Sequence, residues 1–517
     1  MKSQTVSVLP MLFLASTLIL PGCSQVAEER IGVFREAPCP FDLPEGLVEG
    51  KSFRFGYVTV PEFHANPNGR FIEVAVAIFP STSDAPSPDP LVFNTGGPGE
   101  SNMDNFIPPL AVQHSGRLGE LVLPKRDAVV IELRGLRYAK PSLISEELTK
   151  ARSKMADKNL SAEEMVSIQI QALEQTRARF EEEDVNIAAF NNIETAADIA
   201  LIMKNLGYEK FNLFGSSAGT LLAQHVIRDF PEQVRCAVLN ASVPIGVNFG
   251  RDMIPEAANS MRTLFNKCEE DPACSNAFPN LESRFLDFLF SLNESPITIP
   301  LEVPGKSEKL DYVLNGHRLA GMMMLHLYFS PQLPLTISNI MSGDYSFVEQ
   351  VVTFQANMSA FADILGYSVF LSEGPAYTQS EIEIPPRYSI FAEGATSQGL
   401  GGEYLLSVNR VFKVPRLDRA VVELQTPSEV PVLALNGLYD PVIPLRYDEV
   451  LKSNFKNAYV YRFDGVAHSP VDAAESCAIA MFFEFVDNPE VAPDSSCLAE
   501  LSLNLQTSNP SPDPAES

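Results

Sequence analysis

Short apolar runs recur along the first half of the chain, the later ones followed by stretches of helical periodicity. Phe55 to Pro61 and Ile72 to Pro80 read as strands, separated by the turn-rich segment His64-Ala65-Asn66-Pro67-Asn68-Gly69. A Ser/Pro/Asp-rich loop, Ser81 to Pro90, follows. Leu91-Val92-Phe93 and Ala128 to Leu133, the latter apolar but for Glu132, lack alternation, which predicts strands buried on both faces. Residues 162–182 predict a helix, with Ser161 and Glu164 spaced as a capping box. Glu194 to Leu206 predicts a second helix, closed near Gly207. Phe211 to Phe214 predicts a strand, Thr220 to Arg228 the helix after it, and Cys236 to Ala241 another strand. From about Pro244 to about Pro427 the alternation gives way to mostly helical patterning with Pro/Ser-rich breaks. After Pro431 it resumes, with Val432 to Leu435 and Ala458 to Phe463 each preceding a helix.

Short buried strands alternating with helices imply an α/β fold, a mainly parallel sheet covered on both faces. The interruption falls between the fourth and fifth parallel strands. An insertion there forms a mostly helical cap over the carboxyl ends of the strands, where ligands bind in this architecture. The expected division is a signal segment over 1–22 and a tether over 23–38. A first core segment over 39–243, a cap over 244–427, a second core segment over 428–500 and a disordered tail over 501–517 complete it.

A chain of 517 residues, 45% hydrophobic and 20% charged, suits one large core plus an insertion. Its net charge of -27 excludes a basic stripe able to neutralise phosphates, and so argues against a nucleic-acid partner. The N-terminus carries Lys2, an apolar stretch from Val6 to Leu20, and then Leu20-Pro21-Gly22-Cys23. That is signal-peptide anatomy rather than a spanning helix. It resembles a bacterial lipoprotein signal, which implies lipidation of Cys23 and an exported, envelope-bound protein. Export permits disulfides. Of seven cysteines, Cys268 and Cys274 bracket an Asp-Pro turn and Cys477 and Cys497 bracket another loop, which makes both pairs disulfide candidates. Cys236 sits in an apolar strand as a buried thiol, and Cys39 has no evident partner. No C-x-x-C or H-E-x-x-H spacing suggests a metal, and no cofactor is implied.

Gly215-Ser216-Ser217-Ala218-Gly219 joins a predicted strand to a predicted helix. In that setting G-x-S-x-G lifts the serine hydroxyl off the sheet edge on a sharp turn. Ser217 is the candidate nucleophile, and the Ala218 N–H at the helix start is a candidate oxyanion donor. A serine needs a base, and the base an orienting carboxylate, in the chain order Ser, Asp or Glu, His. Of six histidines only His468 lies in the last core segment, in a loop at a strand's carboxyl end. Asp440 lies at the end of the preceding strand; Asp448 and Asp464 are the competing carboxylates. A second oxyanion donor is expected from Gly96 or Gly97 in Gly96-Gly97-Pro98-Gly99, since Pro98 has no N–H. The remaining histidines read as packed or solvated.

With these motifs in place, the chain resembles the α/β-hydrolase serine peptidases of the proline iminopeptidase and tripeptidyl aminopeptidase type. The carriers include Asn94 to Gly99, Glu132-Leu133-Arg134-Gly135, Gly215 to Gly219, Cys268 to Cys274, Asn436 to Pro444, and Cys477 with Cys497. The resemblance implies a Ser217–His468–Asp440 triad and an aminopeptidase acting on short peptides. The chain departs from it at Thr95, where relatives often carry histidine, and at Ala218, where they often carry tyrosine. The same triad on a small apolar ester or amide is the second reading, and a non-catalytic binding protein on the same scaffold the third.

Overall fold

The computed structural model describes residues 31–44, 46–111, 117–302, 309–357, 360–473 and 475–508. The expected signal segment, Cys23 and the end of the tail lie outside these residues. Among the described residues no helix is long and apolar enough to cross a membrane.

A nine-stranded sheet runs β1 (Phe34–Glu36), β2 (Arg54–Pro61), β3 (Phe71–Phe79), β5 (Arg126–Ile131), β4 (Ser87–Asn94), β6 (Phe211–Ser216), β7 (Val234–Asn240), β10 (Val432–Gly437), β11 (Ala458–Phe463) in spatial order. β1, β2, β3 and β5 pair antiparallel; from β5 to β11 every neighbouring pair is parallel. Successive side chains of a strand face opposite sides of a sheet. Leu91 and Phe93 therefore join a different core from Val92, as Leu433 and Leu435 do from Val432 and Ala434. One core is covered by the Asn102–Leu110 and Glu475–Asp487 helices, the other by the Asn192–Asn205 and Ala218–Asp229 helices. Both faces are thus dry, which is why these strands read as unbroken apolar runs.

The segment between β7 and β10 forms helices from Phe249–Glu270 to Arg419–Val422, plus the hairpin β8 (Ile297–Leu301) with β9 (Leu310–Leu314). Its core gathers Met261, Phe285, Met322 and Met323 around the Cys268–Cys274 disulfide. A second disulfide joins Cys477 to Cys497; Cys39 and Cys236 are free, the latter buried.

Three boundaries differ from the sequence reading. Residues 34–36, expected in a tether, form β1 against β2. Residues 501–508, expected in a disordered tail, are ordered: Leu503 and Leu505 pack on the cap core, and Gln506 N donates to Pro331 O at 2.9 Å. The Glu146–Met155 and Ala162–Glu182 helices, counted with the core, pack on the cap. Leu148, Leu173 and Phe180 share a cluster with Leu365 and Tyr404, and Arg152 pairs with Asp363 at 2.9 Å. Amphipathic spacing tells that a helix face is buried but not against what.

Candidate active site

Ser217 sits between the end of β6 and the Ala218–Asp229 helix with φ +52° and ψ −119°. A non-glycine residue holds that backbone only where its surroundings over-determine it, at a cost of roughly 1–3 kcal/mol. Here Ser217 N donates to Asn240 O at 2.8 Å, and Ser217 O accepts from Thr220 N at 2.9 Å and Thr220 Oγ1 at 2.6 Å. The flanking glycines serve close packing: a Cβ on Gly215 would stand 2.5 Å from Gly219 O, and one on Gly219 2.5 Å from Thr95 O. The turn and the loop after β4 are therefore in backbone contact.

That loop carries Gly96 and Gly97. A Cβ on Gly96 would lie 3.0 Å from Ser217 Cβ and 3.6 Å from Ser217 Oγ, so the loop abuts the serine. Gly97 has φ +106°, and the Gly97–Pro98 bond is cis. Thr95 N donates to Asn102 Oδ1 at 2.8 Å, and Asn102 Nδ2 donates to Ile131 O at 2.7 Å, which ties the loop to β5. Ala362 N donates to Gly99 O at 2.9 Å, so the cap rests on the loop from the other side. Ala218 opens the helix, and the first N–H groups of a helix have no intrahelical acceptor.

His468 and Asp440 meet at 2.7 Å through Nδ1 and Oδ2. The other Asp440 oxygen accepts from Val442 N at 2.9 Å and Ile443 N at 3.0 Å, and the side chain is buried. An ionised carboxylate only accepts, so this contact holds the imidazole proton on Nδ1 and leaves Nε2 as the acceptor. The two loops are stitched together: Leu438 N donates to Phe463 O at 3.0 Å, and Tyr439 N to Val466 O at 3.0 Å. The competing carboxylates are engaged elsewhere. Asp448 pairs with Arg462 at 2.7 Å, and Asp464 accepts from its neighbour Gly465 N at 2.7 Å. Among the described residues the Ser217 hydroxyl takes no hydrogen-bond partner. Its neighbour Ser216, however, meets Ser469, the neighbour of His468, at 3.5 Å between the hydroxyls.

Sequence reasoning missed Tyr328. It comes from the cap and stands edge-to-face on His468, ring centroids 4.6 Å apart at 72°. Burial, then the charges of Asp440 and Glu100, hold its hydroxyl well above the usual tyrosine range. No motif marks a cap residue that reaches the site only through tertiary packing. Glu100, beside the glycine loop, accepts from Thr95 Oγ1 at 3.0 Å. With Thr95, Gly96 and Ala218 it lines a cavity whose apolar wall includes Leu222 and Leu365. The other described histidines are structural. His225 is buried and contacts Glu373 at 3.1 Å, and His64 contacts Asp198 at 2.7 Å. Burial holds both His317 and His326 down at about 4. No cluster of three or more His, Cys, Asp or Glu side chains suited to a metal ion occurs among the described residues.

The family model for the alpha/beta hydrolase fold matches residues 89–275, and that for the TAP-like protein matches residues 412–497. The chain has the α/β-hydrolase fold. It is 27% identical over 252 residues to serine protease Hip1 of Mycobacterium tuberculosis, a match covering 44% of this chain and 45% of that protein. It is 29% identical over 212 residues to a tripeptidyl aminopeptidase of Streptomyces lividans, covering 40% of this chain and 38% of that one. The matches thus span less than half the length of either curated relative. A solved proline iminopeptidase of Mycobacterium smegmatis aligns over 85% of this chain and 100% of its own, at 14% identity and a TM-score of 0.41.

Proposed function

We propose that the chain is an exported serine hydrolase, an aminopeptidase that removes N-terminal residues from short peptides through Ser217, His468 and Asp440. The observation that carries the reading is the 2.7 Å contact of His468 Nδ1 with buried Asp440, in a site whose serine is held at φ +52°. A buried carboxylate behind an imidazole and a strained serine serves no folding purpose that a plain turn would not. The names of the Mycobacterium and Streptomyces relatives, a serine protease and a tripeptidyl aminopeptidase, favour peptides as the substrate.

In this mechanism Ser217 Oγ attacks the substrate carbonyl while His468 Nε2 takes its proton. Ala218 N–H and a Gly96 or Gly97 N–H hold the oxyanion. His468 then protonates the leaving amine, and water, deprotonated in turn by His468, releases the acyl group from Ser217. The cap limits substrate length and excludes water. Export rests on the N-terminal segment, with Cys23 as the lipid attachment point to the envelope.

One feature favours an ester or amide hydrolase as the second reading: the small Ala218 beside an apolar wall of Leu133, Leu136, Leu222, Leu365 and Val369. The deciding experiment compares a short peptide with a free N-terminus and its acetylated twin, using the lipid-free protein and Ser217→Ala. Ser217-dependent cleavage of the free form alone supports the aminopeptidase. Equal cleavage of both, or cleavage of neither with turnover of short esters, favours the second reading. Undiminished activity in Ser217→Ala removes both.

A further inference from the structure

We propose that Asn240 is a positioning residue that locks the nucleophile turn to the loop carrying His468 and thereby sets the alignment of the serine with its base. The inference rests on the functional reading above and assigns a role to a residue outside the triad.

Asn240 ends β7, the strand between the two that carry Ser217 and Asp440. It stands opposite Ser216 of β6 in the register and opposite Leu435 of β10. Three of its polar atoms reach across this junction. The backbone carbonyl accepts from Ser217 N at 2.8 Å. The side-chain Nδ2 donates to Ser216 Oγ at 3.1 Å, and Oδ1 accepts from Val471 N at 3.2 Å, three residues beyond His468. Ser216 Oγ in turn meets Ser469 Oγ at 3.5 Å. One buried amide thus touches the residue before the nucleophile and the short helix Pro470–Ala473 that follows the base.

The surrounding backbone shows why such a fastening is needed. Ser217, Ala241 and Ser469 have φ of +52°, +55° and +56°. Each conformation is uphill by roughly 1–3 kcal/mol and persists only where neighbouring bonds fix it. Asn is suited to the place because a single short side chain both donates and accepts. Leucine has a similar volume but would leave the half-buried Val471 N–H without its acceptor. Aspartate keeps the acceptor for Val471, and the Ser216 hydroxyl can rotate to donate to it. The sequence signal is a polar residue closing the apolar run Cys236-Ala237-Val238-Leu239.

The test uses the lipid-free protein with p-nitrophenyl acetate as substrate and a fluorophosphonate to count competent Ser217 sites. Asn240→Leu is expected to lower kcat per titrated site roughly 10–100-fold with KM within twofold, since misplacement on the order of 1 Å costs about that much. Asn240→Asp is expected to recover most of that loss. Ser216→Ala, which removes the acceptor of Asn240 Nδ2, should lower kcat about 3–10-fold by the same misalignment argument. It decides the matter together with Asn240→Asp if Asn240→Leu does not fold. A role in folding alone would reduce the number of labelled sites and leave kcat per site unchanged; that result overturns the proposal. If the native protein is not labelled at Ser217 at all, the functional reading itself falls and takes this inference with it.

Discussion

His468 Nδ1 lies 2.7 Å from Asp440 Oδ2, while the second oxygen of Asp440 is held by two backbone N–H groups. The carboxylate is therefore fixed at both ends before any substrate arrives. Asp440→Asn should preserve the fold yet lower kcat on the order of 10⁴-fold, because the amide can stabilise the wrong imidazole tautomer. Steady-state kinetics beside a circular dichroism spectrum checks this. A loss below about tenfold would remove Asp440 from the triad reading.

Glu132 is buried in full at the end of β5, and its oxygens accept from Ser101 Oγ, Met103 N and Tyr138 N. Burial, opposed by those bonds, pushes its carboxyl up to about 7. An acid raised in the folded state binds its proton there while the unfolded chain has already lost it. Stability from this group is therefore fully present below the unfolded value near 4.5 and declines as pH rises towards 7. The span corresponds to roughly 3 kcal/mol. Glu132→Gln, which carries no titrating group, should flatten the difference in denaturant midpoint between pH 5 and 7.5. An unchanged slope would reject the assignment.

Arg134 is fully buried and forks onto Asp198 through Nε at 2.8 Å and Nη2 at 2.7 Å. Its Nη1 also donates to Glu62 O and Ala189 O. Removing the guanidinium leaves the buried Asp198 carboxylate to its 2.7 Å contact with His64, at a cost of up to about 3–5 kcal/mol. Arg134→Ala should show that loss in chemical denaturation, and Arg134→Lys a large part of it, because the bidentate geometry is gone. A change below about 1 kcal/mol for the alanine variant would contradict the argument.

The two disulfides close loops of different length, 6 residues for Cys268–Cys274 and 20 for Cys477–Cys497. Loop-closure entropy assigns about 2 kcal/mol to the shorter and about 3 to the longer. Cys497→Ser should therefore lower the stability of the protein more than Cys274→Ser. Denaturant titration of both variants under oxidising conditions measures it, and the reverse order would mean that local packing outweighs the loop.

Much of the framework was legible because it depends on local patterns. The apolar runs at Leu91-Val92-Phe93, Phe211 to Phe214 and Val432 to Leu435 each became a parallel strand near the expected bounds. Ser161 and Glu164 form the capping box that their spacing suggested. Other elements escaped for a stated reason. The β8–β9 hairpin lies among helices, and its five-residue strands carry too little pattern to stand out. Leu503 and Leu505 were assigned to a tail because their neighbours are polar, yet two apolar side chains suffice to hold the segment against the cap.

The candidate residues divide in the same way. Ser217 was marked by flanking glycines and His468 by its place in the last core segment, features that belong to the chain and its order. The sequence alone thus determined the strands β2 to β7, β10 and β11, the turn at Ser217 and the short list of acids and bases. Tertiary structure decided which acid faces the histidine: Asp448 is taken by Arg462, and Asp440 alone of the three candidates meets His468. It also brought Tyr328 from the cap and Asn240 from the neighbouring strand into the same junction. Local patterns record which face of an element avoids water, whereas contacts between residues distant in the chain are set by how the layers pack, and a single sequence carries no local mark of that.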